Sequence, residues 1–466
     1  MTGPPKPGQK ARPRRAKPRP DLPRRVAFDL LRAVAERDAY ANLTLPALLR
    51  EHGLDTRDAA FATELAYGTL RGRGTYDGVL AACVDRPLDQ VDPPVLDLLR
   101  LGAHQLLDMR VPSHAAVGAT VELARAVAGE GRGSFVNAVL RRVDRHDLAA
   151  WLAEVAPGYD TDPVGNLAVV HSHPRWVVSA LRDALGGSLT QTAALLAADN
   201  VPPLVTLVAR PGRATVAELA EAGAGPGRWS PYAAVLPAGD PGGIPAVRDG
   251  RAGVQDEGSQ LVALALAAAP VDGSDERWLD LCAGPGGKAA LLGAVAVGRG
   301  AALLAAEVAP HRAGLVAKVV GDTAGVVVAD GRDPAWRSAT FDRVLVDAPC
   351  TGLGALRRRP EARWRRRLED VAGMTALQGE LLRAGLDAVR PGGLVAYVTC
   401  SPHLAETRSV VLDVLHRQRA AGHQIERVDA RPYLPGVPDL GNGPDIQLWP
   451  HLHGTDAMYL SLLRRG

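Results

Sequence analysis

Aromatic residues are scarce in this 466-residue chain, at 4%. Its cores must therefore be built mostly from Ala, Leu and Val, within a hydrophobic content of 47%. Cysteine is rarer still, with four residues and no C-x-x-C pair, which excludes a disulfide framework and the common zinc motifs. No metal site is expected, and reduced thiols fit a cytoplasmic protein. No apolar run approaches the roughly 20 residues that span a bilayer. The basic N-terminus is not followed directly by an apolar segment, so neither a membrane span nor a secretory signal is expected. Lysine supplies only five of the 54 basic residues, which makes a lysine inside a motif notable. The net charge of +3 is too small to argue for nucleic acid, and the local distribution of charge says more.

Length alone points to several domains. Residues 1–25 carry nine Lys or Arg, seven Pro and one acid, a composition that cannot bury a core and predicts a disordered basic tail. From 26 to 148 the apolar residues recur at helical spacing, as in VAFDLLRAV (26–34), VLDLLRLGAHQLLDM (95–109) and SFVNAVLRRV (134–143). An all-α domain follows from that period. Residues 149–250 mix helical segments with PPLVTLVAR (202–210), which alternates like a strand, and predict a small α/β linker domain. His171 and His173 flank a Pro-containing turn and are read as structural.

From 251 to 466 apolar runs alternate with helical segments. RWLDLCAG (277–284), AALLAAEV (301–308), GVVVADG (325–331), FDRVLVDAP (341–349) and GLVAYVTC (393–400) each end at Gly, Asp, Pro or Cys. Such runs predict a parallel sheet covered on both faces, whose ligands lie beyond the C-terminal strand ends. At the first end, Cys282-Ala283-Gly284-Pro285-Gly286-Gly287-Lys288 joins a strand to a helix. A P-loop would need Gly at 282 and Ser or Thr at 289, and Cys and Ala stand there. Gly284, Gly286 and Ala289 do satisfy the looser dinucleotide pattern. Glu307 and Asp330 close the next two runs, and each alone would be an ordinary cap or turn residue. As an ordered set, the glycine turn and the two acids indicate an adenosyl ligand of the nicotinamide or the methionine type.

Two of the four cysteines decide between those. Asp347-Ala348-Pro349-Cys350 ends the fourth run and Thr399-Cys400-Ser401 the fifth. Hydride transfer has no use for such a pair. Methylation at carbon 5 of a pyrimidine does, because that carbon becomes nucleophilic only after a thiolate adds to carbon 6.

In this order and spacing, DLCAGPGGKA, DAPCTG and VTCS resemble the RNA 5-methylcytosine methyltransferase family. A NusB-like all-α domain and a linker domain ahead of a Rossmann-like methyltransferase domain resemble its bacterial branch, which acts on small-subunit (16S) ribosomal RNA. The resemblance implies S-adenosylmethionine held by 282–288 with Glu307, Asp330 and Asp347. It also implies Cys400 as nucleophile, Cys350 assisting release of the methylated base, and Asp347 contacting the cytosine. The first motif departs from the commoner C-A-A-P-G-G-K-T at Gly284 and Ala289. Transfer RNA as substrate, or an RNA assembly factor with a vestigial site, are the alternatives. The chain is expected to act as a monomer.

RRRPEARWRRR (357–367) places seven Arg and one Trp just after Cys350. Arg357, Arg358, Arg359, Arg363 and Trp364 are expected to hold RNA phosphates and stack on unpaired bases. The target cytosine must be unpaired or flipped, since stacking hides carbon 6.

Overall fold

The computed structural model describes residues 21–109 and 111–466. Residues 1–20 of the expected tail lie outside the described residues. The remainder of that segment is helical: the Asp21 side chain caps the helix Leu22–Arg37 by accepting from the Arg24 N–H. Arg24 is buried, and its Nε donates to Gln105 at 2.7 Å. Six further helices follow, Ala41–Glu51, Thr56–Cys83, Pro93–Leu107, Ser113–Ala128, Glu130–Val143 and Leu148–Val155. Their stripes, such as Val26, Leu30 and Val34 against Leu98, Leu99, Val136 and Leu140, close one helical core. Each fully buried Leu contributes about 2 kcal/mol to it. Gly131-Arg132-Gly133, which punctuates the sequence, lies inside the helix that begins at Glu130.

The chain divides into two compact units at Val155. The second opens with the helices Pro163–Val170, Arg175–Ala184 and Leu189–Asp199. Four short strands come next: β1 (Val205–Ala209), β2 (Gly225–Pro226), β3 (Ala233–Leu236) and β4 (Ala252–Val254). They form an antiparallel sheet in the order β2-β3-β1-β4.

Eight strands make the large sheet: β5 (Arg277–Asp280), β6 (Ala302–Glu307), β7 (Ala324–Val328), β8 (Phe341–Asp347), β9 (Val389–Thr399), β10 (Ile425–Val428), β11 (Ile446–Gln447) and β12 (Tyr459–Arg465). Their order is β10-β12-β9-β8-β5-β6-β7, with β11 on β12. The fold is Rossmann-like, as expected, but the sheet is mixed rather than wholly parallel. β12 runs antiparallel between β9 and β10. Central β8 shows why apolar runs mark such strands, since Val344, Leu345 and Val346 are wholly buried. Its one buried cation, Arg343, is bracketed by Asp275 at 2.7 Å and by the Leu266 and Ala269 carbonyls. Among the described residues no helix is long and apolar enough to cross a membrane.

Candidate active site

Strand order gathers the motifs. β8 lies between β5 and β9, all three parallel, with Asp347 in register with Val398. The loops after β5, β8 and β9 therefore leave the same sheet edge side by side. β12 enters from that edge, Tyr459 pairing with Thr399, and so delivers Asp456 and Ala457 to the same place.

The loop after β5 turns at Gly286, whose φ of +113° favours glycine. It opens the helix Gly287–Gly298 with no side-chain cap on its first turn, leaving an end suited to a ligand's negative group. Glu307, at the tip of β6, is buried and accepts from the Gly284 and Ala309 N–H groups at 3.1 and 3.0 Å. Arg312 donates to the Gly284 carbonyl at 2.7 Å. A Cβ at Gly284 would collide with Glu307 and Arg312, so this departure from the commoner motif lets both close on the loop. Asp330 lies just beyond β7 and is paired with Arg332 at 2.7 Å. That hydrogen-bonded pairing holds its carboxyl below the usual range.

Asp280, at the end of β5, is a buried acid that the motif reading passed over. Burial first, and the Asp347 carboxylate next, push its pKa up to about 8. An acid at the end of an apolar strand was its one signal in the sequence. Lys288 donates to Asp347 Oδ2 at 2.8 Å. Burial opposes its charge, but Asp347 outweighs burial and holds the ammonium above its ordinary pKa.

The Cys350 and Cys400 sulfurs are 3.4 Å apart. Their environments differ sharply. The hydrogen bond from Cys350 lowers the Cys400 pKa against the opposing effects of burial and of the Asp347 carboxylate, and Lys288 assists. The same hydrogen bond, with burial, pushes Cys350 up. Burial raises Cys282 as well, and takes Cys83 up to about 11. Cys400 alone of the four is shifted toward the thiolate.

Within the arginine segment, Arg363 departs from its expected role. Arg363 is wholly buried, its guanidinium donating to the Asn200 side chain and the Asp199 carbonyl at 2.8 Å and to the Ser172 carbonyl at 3.2 Å. Arg357 donates to the Gly454 carbonyl at 2.8 Å, and Arg358 Nε to Asp456 at 3.0 Å. Arg363 therefore braces the fold from inside, whereas Arg357 is half-buried and Arg358, though paired with the buried Asp456, is exposed. Arg359 and Trp364 are half-buried, whereas Arg367 is exposed. His173 is buried, its Nδ1 at 2.7 Å from the His171 carbonyl, in keeping with a structural role.

A Rossmann-like sheet with a glycine turn, acids at successive strand ends and a low-pKa thiol defines an S-adenosylmethionine-dependent methyltransferase. The helical first unit adds a second family mark, the NusB family matching residues 21–145. The chain belongs to the 16S rRNA methyltransferase RsmB/F family, which matches residues 265–464. It is 55% identical over 455 residues to the protein Rv1407 of Mycobacterium tuberculosis, covering 96% of this chain and 97% of that one. It is 35% identical over 411 residues to ribosomal RNA small subunit methyltransferase B of Pseudomonas putida, covering 86% and 90% of the two. Among solved structures, PH0851 shares the fold at a TM-score of 0.78 and 22% identity, over 96% of this chain and 99% of that one. NSun6 from Pyrococcus horikoshii, solved with SFG, does so at a TM-score of 0.52 and 16% identity over 63% of this chain and 98% of its own.

The protein is thus an S-adenosylmethionine-dependent RNA methyltransferase with ribosomal RNA as its class of substrate. Its lining fits that methyl donor. Asp280 Oδ2 and Gln255 Oε1 are buried oxygens without a hydrogen-bond partner among the described residues, and Gln255 lies against Gly287. An amide oxygen and a carboxyl that ionises beside a cation, next to an uncapped helix end, suit a ligand carrying both an ammonium and a carboxylate.

Proposed function

We propose that this protein methylates carbon 5 of a cytosine in 16S ribosomal RNA, in the cytoplasm, through a covalent adduct at Cys400. The observation that carries this reading is the 3.4 Å approach of the Cys350 and Cys400 sulfurs, beside Lys288 and Asp347, with Cys400 the thiol shifted toward the thiolate. Bound S-adenosylmethionine supplies an electrophilic methyl on a sulfonium. Segment 282–288, Glu307 and Asp330 would hold it, with Asp280 and Gln255 at its amino-acid end.

Cys400 Sγ adds to carbon 6 of the flipped base, and the displaced electron pair makes carbon 5 nucleophilic toward the methyl carbon. Asp347 contacts the ring, and its partner Lys288 balances the negative charge that Cys400 and Asp347 bring together. Once Cys400 is bonded to carbon 6, its sulfur no longer needs the Cys350 hydrogen bond. Elimination follows: Cys350, once its own proton has been given up to solvent, takes the carbon 5 proton, the C5–H pair restores the C5–C6 double bond, and the Sγ–C6 pair returns to Cys400 as the thiolate.

The test uses purified protein, labelled S-adenosylmethionine and small-subunit ribosomal RNA lacking its modifications, followed by nucleoside mass spectrometry and mapping of the label. The expected product is 5-methylcytidine at one position. Label on another atom, or transfer to transfer RNA in preference to ribosomal RNA, would overturn the proposal.

A further inference from the structure

Glu406 ends the short 3₁₀ turn Leu404–Glu406 and is wholly buried. Its carboxylate is committed to the two cysteine loops. Oε1 accepts the Thr351 backbone N–H at 2.7 Å and the Gln378 amide at 3.1 Å. Oε2 accepts the hydroxyls of Ser401 at 2.6 Å and Thr351 at 2.5 Å. One side chain thus grips the residue that follows each cysteine. Around it, Gln378 also donates to the Pro349 carbonyl at 2.8 Å, just before Cys350. Tyr397 donates to the Glu406 carbonyl at 2.7 Å. A carboxylate in this position is costly unless its oxygens are satisfied, and here both are.

We propose that Glu406 is a positioning residue for the cysteine pair: by tying Thr351 to Ser401 it fixes the distance and aim between Cys350 and Cys400, and with them the reactivity of Cys400. The inference deepens the reading of Cys400 as nucleophile and rests on it. The carboxylate acts through geometry. The groups that face Cys400 directly are Cys350, Lys288, Asp347, Asp456 and Arg358. Those facing Cys350 are Cys400, Glu406 and Tyr397. Of these, only the Cys350 contact depends on the clamp. Without it the loops after β8 and β9 lose their shared anchor, Cys350 no longer donates squarely, and the Cys400 thiolate is less favoured.

The test is alkylation of the full-length protein by iodoacetamide across a range of pH, with Cys350 and Cys400 followed separately by peptide mass spectrometry. Glu406→Ala is expected to slow Cys400 at neutral pH by about three- to tenfold and to move its profile to higher pH. Glu406→Gln keeps a carbonyl for Thr351 and Gln378 and an amide for the two hydroxyls, so its profile should overlay wild type. A folded Glu406→Ala whose Cys400 profile also overlays wild type overturns the proposal, even if its melting temperature falls. Should Glu406→Ala fail to fold, Thr351→Val and Ser401→Ala each remove one arm of the clamp. Upward shifts in both support the proposal, and wild-type profiles in both overturn it. The readout needs no RNA or methyl donor. Failure of the nucleophile reading would show separately, as methyl transfer surviving in Cys400→Ala.

Discussion

Cys350 and Cys400 stand 50 residues apart in sequence, yet their sulfurs approach to 3.4 Å. The closeness follows from strand order: β8 and β9 are parallel neighbours, so the loops that end them emerge together. It lets one thiol stabilise the other as a thiolate, and the chemistry of the site follows from that coupling.

Methyl transfer should track ionisation of Cys400. Its pKa lies below that of an ordinary thiol, so the thiolate is populated at lower pH than in a free cysteine. The acid limb of kcat/KM should coincide with the pH profile of Cys400 alkylation. Cys350→Ala removes the hydrogen bond that stabilises the thiolate and should move that alkylation profile to higher pH. An unmoved profile would mean that the pair is close without being coupled.

Lys288→Met leaves Asp347 without its ion-pair partner and removes a cation that favours the Cys400 thiolate. Loss of one partner of such a pair costs more than the pair itself contributes. Alkylation of Cys400 should slow, and kcat/KM for methyl transfer should fall by about two orders of magnitude. Lys288→Arg should recover little, because a planar fork does not replace a point charge in a confined site. Steady-state kinetics on the two variants checks both statements.

Stability should fall as pH rises where Asp280 governs it. In the unfolded chain this carboxyl ionises at about 3.9, whereas in the fold its pKa is about 8. Between those values the folded state holds a proton that the unfolded state has released. The contribution is therefore full below the lower value and lost as pH climbs through the upper one. Asp280→Asn should flatten that part of the pH–melting curve, and saturating S-adenosylmethionine should flatten it in wild type.

Arg363 and Arg367 should behave as opposites. Arg363→Ala removes the guanidinium that donates to the Asp199 and Ser172 carbonyls and to Asn200, at a cost of about 3 kcal/mol. The salt dependence of RNA binding by the folded protein should not change. Arg367 is exposed, and Arg367→Ala should leave stability alone while reducing the slope of log K against log salt by about one. Urea unfolding and filter binding at several salt concentrations separate the two effects.

Much of this fold is written in apolar periodicity, because helices and buried parallel strands repeat their apolar residues in recognisable ways. VAFDLLRAV and FDRVLVD became helix and strand where the pattern placed them. β12 was harder to see. YLSLLRR is preceded by only the four-residue helix Pro450–His453, too short to mark a crossover, and its antiparallel place beside β9 depends on a long-range pairing. The cysteine motifs were legible because each stands at the end of an apolar run, a position where side chains leave the core. The partners that tune them were not. Asp456 looks like an ordinary surface acid in the sequence, Asp280 is marked only by its place at the end of an apolar run, and strand order carries both into the site. Arg363 misled for a related reason. Density of charge says nothing of direction, and Arg363 points inward to carbonyls while Arg367 does not.

The most direct test of the account follows the covalent bond itself. Purified wild type, Cys400→Ala and Cys350→Ala would each be incubated with labelled unmodified ribosomal RNA and S-adenosylmethionine, then resolved on denaturing gels. The account predicts no adduct and no methyl transfer with Cys400→Ala, and an adduct that accumulates with Cys350→Ala because release is slowed. Undiminished methyl transfer by Cys400→Ala would contradict the thiolate mechanism.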